Sequence, residues 1–273
     1  MRTKNPLMYV GLSAVVLLSV GPLYFMLVMA SRVNDEIVAL PPPFSLGGEL
    51  FPNLDRVFGN ADVLFGQALL NSLLVASVAT VCVVVTSSLA GFAFAKLKFR
   101  GRNALLLFVI GTMMVPVQLG LIPLYMLMTK LGLSGGLPSV TLPFVVAGFG
   151  VFMMRQFAEQ AIPDEMIEAA RVDGASTFRI FFSIVFPALR PAAAVLGLLT
   201  FMERWNDFLW PYLTLDAEHP TVQVALSRLS SGYYSDQSLI MAGTFIGTLP
   251  LVVVFIVFGR QIIGGIMEGG LKA

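Results

Sequence analysis

Charged and amide side chains are few in this 273-residue chain, and where they gather limits the chemistry open to it. One dense group is Glu203-Arg204-Trp205-Asn206-Asp207. Glu203 and Asp207 stand at i and i+4, so a helix would carry both on one face, with Arg204 able to neutralise either. An aromatic face beside an amide and a carboxylate is what a sugar site uses: Trp205 to stack on a pyranose, Asn206 and Asp207 for its hydroxyls. The same stretch also suits an aromatic belt at a membrane surface, with Trp205, Trp210 and Tyr212 as anchors. Both readings stand on sequence alone. Asn71 and Gln118 are isolated polar groups in apolar surroundings. Such groups usually face protein or a water-filled cavity, because hydrocarbon offers their hydrogen-bonding atoms no partner. For charged groups such as Glu203 and Asp207 the cost at the bilayer centre is about 2.5–3.5 kcal/mol on insertion scales.

Other chemistries are poorly served. The one histidine, His219, and the one cysteine, Cys82, are far apart in sequence, so neither a zinc site nor a disulfide framework is expected. No G-x-x-x-x-G-K-[ST] occurs, nor any Gly-Lys pair, so no P-loop can hold a nucleotide phosphate. An enzyme would want a nucleophile beside a base, and only scattered serines are present.

The elements that must position these residues are long and apolar. Charged residues are 12% of the chain, against about 25% in soluble domains, and apolar ones 57%. Six stretches are long enough to cross a bilayer core, which takes roughly twenty helical residues. They are residues 7–30, 67–95, 104–128, 140–157, 188–213 and 238–258. The expected fold is all-α, a polytopic membrane protein with six transmembrane helices. The first span is too long, and lacks a cleavage site, for a removable signal peptide. Prolines at 22, 116, 123, 143, 211 and 250 interrupt five of the spans, and neighbouring groups must satisfy the carbonyls they free. Small residues repeat every four positions at Ser87, Gly91 and Ala95 and at Gly243 and Gly247, which lets helix backbones approach.

Lysine and arginine set the orientation. Arg2, Lys4, Lys96, Lys98, Arg100, Arg102, Arg155, Arg171, Arg179, Arg190, Arg260 and Lys272 fall on the side of the termini, and the other five on the opposite side. Both termini are therefore expected in the cytoplasm. The net charge of +1 conceals this asymmetry and implies no nucleic-acid partner.

Between the fourth and fifth spans lies a charged insert, Pro163 to Pro191. Pro163 suits a helix start, and Asp164 and Glu165 place negative charge in its first turn. Gly174 predicts the stop, as a residue that tolerates positive φ. Ser176 can cap a second helix carrying Phe178, Phe181, Phe182 and Val185 on one apolar face, which Pro187 and Pro191 are expected to break. A helix of ten or so residues is marginal in water, so the first one needs a surface to dock on.

Glu168-Ala169-Ala170, then Gly174, Ile184 and Pro187, with Phe186 where leucine is usual, resembles the EAA motif of ATP-binding-cassette importer permeases. The similarity extends from Asn71-Ser72 through the 90–95 run, Phe99-Arg100-Gly101-Arg102, Pro116 with Pro123, and Trp205-Asn206-Asp207-Phe208 to a glycine-rich tail at 264–273. These look like the carbohydrate-uptake branch, most like its maltose-type six-span permease. The resemblance implies a type I ABC importer permease fold and a bacterial or archaeal cytoplasmic membrane. It divides the chain into a first helix plus outer loop at 1–66, a five-helix core at 67–260 with a coupling loop at 159–190, and a cytoplasmic tail at 261–273. It implies a second permease subunit, two copies of an ATPase and an extracytoplasmic solute-binding protein as partners. ATP and Mg would be bound by the ATPase, with no cofactor in this chain. Glu168, Ala169, Ala170, Asp173, Gly174, Ile184 and Pro187 would contact or position the ATPase. Asn71, Gln118, Trp205, Asn206 and Asp207 are the candidate pathway residues. Alternatives are an importer of glycerol phosphate, an amino sugar or an amino acid. A self-sufficient secondary transporter is disfavoured, since it tends to carry inverted repeats and buried coupling charges not found in the first four spans.

Overall fold

The computed structural model describes residues 6–231 and 236–270, with side chains over 8–231 and 236–259. In chain order the helices are α1 (Pro6–Ala30), α2 (Asn34–Ile37), α3 (Leu50–Phe58), α4 (Phe65–Lys96), α5 (Arg102–Met113), α6 (Leu121–Lys130) and α7 (Pro138–Thr141). They continue as α8 (Gly148–Ala161), α9 (Asp164–Val172), α10 (Thr177–Ile180), α11 (Phe186–Trp205), α12 (Leu209–Thr214), α13 (Val222–Ser230) and α14 (Gln237–Gly270). Among the described residues there is no β-strand, only a single parallel bridge between Gly135 and Leu215.

Five segments are long and apolar enough to cross a membrane: Met8–Ala30, Phe65–Lys96, Pro138–Ala161, Thr177–Trp205 and Gln237–Gly259. The third expected span is not straight. α5 and the segment Val117–Lys130 meet at 91°, so residues 104–128 count as one span only if the bent pair is taken together. Pro116 lies in that break, where a residue without an N–H and with fixed φ cannot continue the helix.

The fifth span corrects the expectation most. It runs Thr177–Trp205, not 188–213. Pro187 does not break it, because a π-helical turn at Phe181–Val185 precedes it and reroutes the backbone hydrogen bonds there, and Pro191 lies inside α11 without ending it. The predicted phenylalanine face also divides. Phe181 and Val185 are buried, whereas Phe178 and Phe182 are 73% and 63% exposed. At the C-terminal end of this span the chain leaves the helix after Trp205, and Pro211 falls in the separate short helix α12. The chain beyond the sixth apolar stretch stays helical to Gly270; 271–273, with the rest of the predicted tail's side chains, lie outside the described residues.

The contacts group into two units, residues 1–69 with 222–250, and residues 70–221 with 251–273. In the first, Ala30, Val57, Val63, Phe65, Ala68, Ala225, Leu229 and Ala242 form the core. The glycine pair of α14 packs there: a Cβ on Gly243 would lie 2.8 Å from Leu229 Cδ1, and one on Gly247 would lie 3.0 Å from Val222 Cγ1. Asn53 donates to the carbonyls of Ala30 (3.0 Å) and Arg32 (2.9 Å), closing the end of α1.

The second unit holds the larger core, built by α4, α8, α9, α10, the π turn and α11 around Val83, Phe92, Met154, Ile167, Ile180, Phe181 and Leu196. Its helices approach closely where α4 carries the predicted small-residue row, with Gly91 against Met154 and Ser87 against Gly150.

Candidate functional site

The insert after α8 folds as a local sequence reading of its caps expects, except that Pro163 stands one place before the first helical residue and not at it. Pro163 is the N-cap of α9 in an extended conformation, φ −61° and ψ 144°, and Asp164 and Glu165 occupy the first turn. The helix closes with a paired C-terminal motif: Gly174 N donates to Arg171 O (3.0 Å) and Ala175 N to Ala170 O (2.9 Å). Gly174 sits at φ +77°, the left-handed conformation that this closure requires. Ser176 then caps the next helix, its Oγ accepting from Arg179 N at 3.3 Å.

Burial orients this element. Ile167 and Ala170 turn into the core with Ile180, Phe181 and Leu189, and Ala175 packs on the same cluster. Glu168, Ala169, Asp173 and Gly174 are exposed. Ile184 and Pro187 are half-buried on the π turn and the start of α11. Phe181 anchors that turn, its ring 5.9 Å from Phe92 and 5.0 Å from Phe182.

The start of α9 is tied to α4. Lys96 Nζ donates to Asp164 Oδ1 at 2.7 Å, and the hydrogen bond and charge of that lysine hold the Asp164 carboxyl below its ordinary pKa. Beside the pair is a cavity of about 310 Å³ whose charged lining includes Lys98, Arg102, Glu159, Glu168 and Arg171. In the sequence Lys96 is legible only as a topology signal, because its partner Asp164 lies 68 positions away.

The pathway candidates have different settings. Asn71 is buried, its Nδ2 donating to Pro220 O at 2.9 Å, so it ties α4 to the segment before α13. Gln118 is exposed in the short 3₁₀ turn at the bend before α6. Trp205 is 1% exposed, its ring stacked on Phe201 at 5.7 Å, so in this structure it is neither a surface anchor nor an open platform for a sugar ring. Trp210 is buried too, donating from Nε1 to Ser139 O at 3.0 Å. Asn206 is exposed and its Nδ2 donates to Met202 O at 2.8 Å, capping the last turn of α11. Asp207 accepts from Arg204 Nη1 (3.3 Å) and from Trp210 N (3.4 Å). Arg204 also pairs with Glu203, and its guanidinium lies 4.1 Å above the Phe144 ring.

One feature has no signature in the sequence. Within the second unit, α4, α11 and the middle of α14 border an open cavity of about 490 Å³ lined by Leu73, Thr80, Val84, Ala193, Gly197 and Phe258 among others. Its lining is almost wholly apolar, and Thr80 Oγ1 is buried there without a hydrogen-bond partner. Apolar side chains on apolar spans look alike whether they face lipid, protein or a cavity.

A helical chain with five or six membrane-length apolar segments, and a short capped helix with an exposed face set before the last two of them, defines a class, and the comparisons agree. Residues 61–262 match the family described as binding-protein-dependent transport system inner membrane component, and the chain belongs to that family. It is therefore a multi-pass transport permease subunit of the inner membrane. It is 33% identical over 272 residues to the lactose transport system permease protein LacG of Rhizobium radiobacter, covering 99% of this chain and 97% of that one. Against the arabinooligosaccharides transport system permease protein AraQ of Bacillus subtilis (strain 168) the identity is 30%, over 94% and 92% of the two chains. Against the sn-glycerol-3-phosphate transport system permease protein UgpE of Yersinia pestis it is 32%, over 93% and 92%. The fold is that of a chain in the crystal structure of a bacterial ABC transporter involved in the import of the acidic polysaccharide alginate. The TM-score is 0.78 at 23% identity, covering 96% of this chain and 99% of that one.

Proposed function

We propose that this chain is one of two different permease subunits in an ATP-driven sugar importer, forming half of the translocation path. Energy arrives from two copies of a cytoplasmic ATPase that bind ATP and Mg, and this chain needs no cofactor of its own. Solute arrives from an extracytoplasmic binding protein, and both termini lie in the cytoplasm. Residues 1–66 are an accessory helix and outer loop, 67–260 the transport core, and 261–273 a tail reaching towards the ATPase.

The observation that supports this reading most is the geometry of α9. Its inner face, Ile167 and Ala170, is spent on the protein's own core, while Glu168, Ala169, Asp173 and Gly174 remain open on a short, rigidly capped helix. That is a surface shaped for insertion into another subunit. Ala170, Ile184 and Pro187 act from behind it, by holding α9 and the π turn in place. The absence of any phosphate-binding loop from the sequence means that ATP must act through contact. Two relatives named for lactose and arabinooligosaccharides support a sugar, and the relative named for sn-glycerol-3-phosphate supports a second reading in which the solute carries phosphate. Among the pathway candidates, Asn71, Gln118, Asn206 and Asp207 are taken as polar contacts along the path. Trp205 supports the Asn206–Asp207 turn from behind.

Affinity purification after co-expression with candidate neighbours tests the assembly, with a second permease and two ATPase copies expected in the eluate. Uptake into proteoliposomes tests the function, with a disaccharide and glycerol 3-phosphate compared as solutes. Full-rate transport by this chain alone, without ATP, would sink the reading.

A further inference from the structure

Lys96 is the last residue of α4 and Asp164 the first of α9, and their side chains meet at 2.7 Å. The partners are unlike. The Lys96 side chain is 6% exposed and that of Asp164 77%. A lysine so enclosed must hold a counter-charge, because an uncompensated buried charge is strongly unfavourable. A charge-assisted hydrogen bond also fixes a distance, where apolar contacts can slide.

The pair joins helices that the chain does not connect directly. α4 leads into α5, whereas α9 departs from α8 and returns through α10 and the π turn to α11. A displacement of α9 therefore reaches α8 and α11 through the backbone. It has no such route to α4. Yet α4, through Leu73, Ser77, Thr80, Val81 and Val84, lines the apolar cavity together with α11. Phe92 of α4 packs on Phe181 of the π turn, so the same stretch of α4 is already held against the element that follows α10. The Lys96 contact adds the missing polar attachment to α9 itself.

We propose that Lys96 and Asp164 are positioning residues that carry displacement of α9 into α4, so that α4 and α11, two of the three helices lining the cavity, move together when α9 is pushed. The proposal rests on reading α9 as the helix that meets the ATPase. It predicts that the pair sets how much uptake each hydrolysed ATP yields, rather than whether hydrolysis occurs.

The test uses the whole importer in proteoliposomes and reads uptake and ATP hydrolysis together. Lys96→Glu and Asp164→Lys should each lower uptake per ATP at least about fivefold, the lower end of common couplings between sites. The double exchange Lys96→Glu with Asp164→Lys should recover most of it, which shows that the pair acts as a unit, and thermal stability of the assembled complex should stay level across the series, which a merely structural pair would not allow. Asp164→Asn keeps the shape and an acceptor but drops the charge, and serves if a reversal fails to assemble; an intermediate loss is expected. A wild-type ratio in Asp164→Asn, or an exchange variant that assembles yet stays as low as the single reversals, would overturn the proposal. Failure of the unaltered complex to couple hydrolysis to uptake would instead strike the importer reading itself.

Discussion

Gly91 of α4 lies so close to Met154 of α8 that a Cβ placed on it would stand 2.7 Å from the Met154 Cβ and from the backbone around it. The relationship is reciprocal one turn away, where a Cβ on Gly150 would collide with Ser87. The small-residue row of α4, Ser87 and Gly91, thus lies directly against Gly150 and Met154 of α8, and close approach of this kind is how helices associate where lipid offers no apolar driving force. Gly91→Ala should cost about 1–3 kcal/mol through overpacking of backbone that cannot give way. Gly197→Ala is the control, since its Cβ would make ordinary 3.5 Å contacts with Thr80 and Val84. The midpoint of thermal unfolding in detergent should fall for the first variant and hold for the second; equal values would deny the close approach.

Gly174 presents the opposite case. Nothing lies within 4 Å of where its Cβ would be, so the constraint there is conformational only, at φ +77°. A non-glycine residue in that conformation costs about 1–2 kcal/mol, and asparagine least. Gly174→Val should therefore misplace α10 and either release the ATPase or uncouple hydrolysis from uptake. Gly174→Asn should keep both near normal. If valine and asparagine behave alike in an uptake and hydrolysis assay, the left-handed turn is not what matters.

Glu168 is exposed and lies on the open side of α9, so its replacement should leave the fold intact. Glu168→Lys is expected to weaken ATPase binding or to uncouple it while the chain's own thermal stability stays within about 0.5 kcal/mol, as for ordinary surface changes. Pull-down of the ATPase with parallel melting curves reads both. Loss of thermal stability without loss of ATPase binding would assign Glu168 to the fold instead.

What was legible in the sequence is what local chemistry decides. Pro163, Gly174 and Ser176 mark the ends of α9 and α10 because caps and left-handed turns depend on a few adjacent residues. The row of Ser87 and Gly91 was legible as a packing surface, though not the helix it meets, since its partner is some sixty residues away. Pro187 misled for the same reason. The proline is visible, but the π turn that accommodates it is held by Phe181 packing on Phe92 of α4, a tertiary contact. Pro116 announced an interruption without its 91° size. Apolar content could not locate the ends of the fifth span, because Phe178, Phe181 and Phe182 read as an amphipathic insert and not as the start of a membrane-length helix. Trp205 and Trp210 looked like surface anchors, and only the arrangement of Phe201 and Ser139 around them shows that both are interior.

That interior position separates the roles within the Trp205–Asp207 turn. Trp205 is fully enclosed and stacked on Phe201, so Trp205→Ala should open a cavity costing about 3–5 kcal/mol and reduce the yield of assembled complex. Asn206 is exposed at the end of α11, and the hydrogen bond it gives to Met202 O is a local cap worth about 1 kcal/mol. Asn206→Ala should therefore assemble normally. If the turn contacts solute, that variant should lose uptake while basal ATP hydrolysis persists. Asp207→Ala adds a structural cost, because Arg204 would lose one of its two carboxylate partners and Trp210 N its acceptor. The decisive measurement is uptake by Asn206→Ala at matched amounts of assembled complex. Unchanged uptake there, with Asp207→Ala harmed only in assembly, would make the turn a clamp on the end of α11 and remove it from the path.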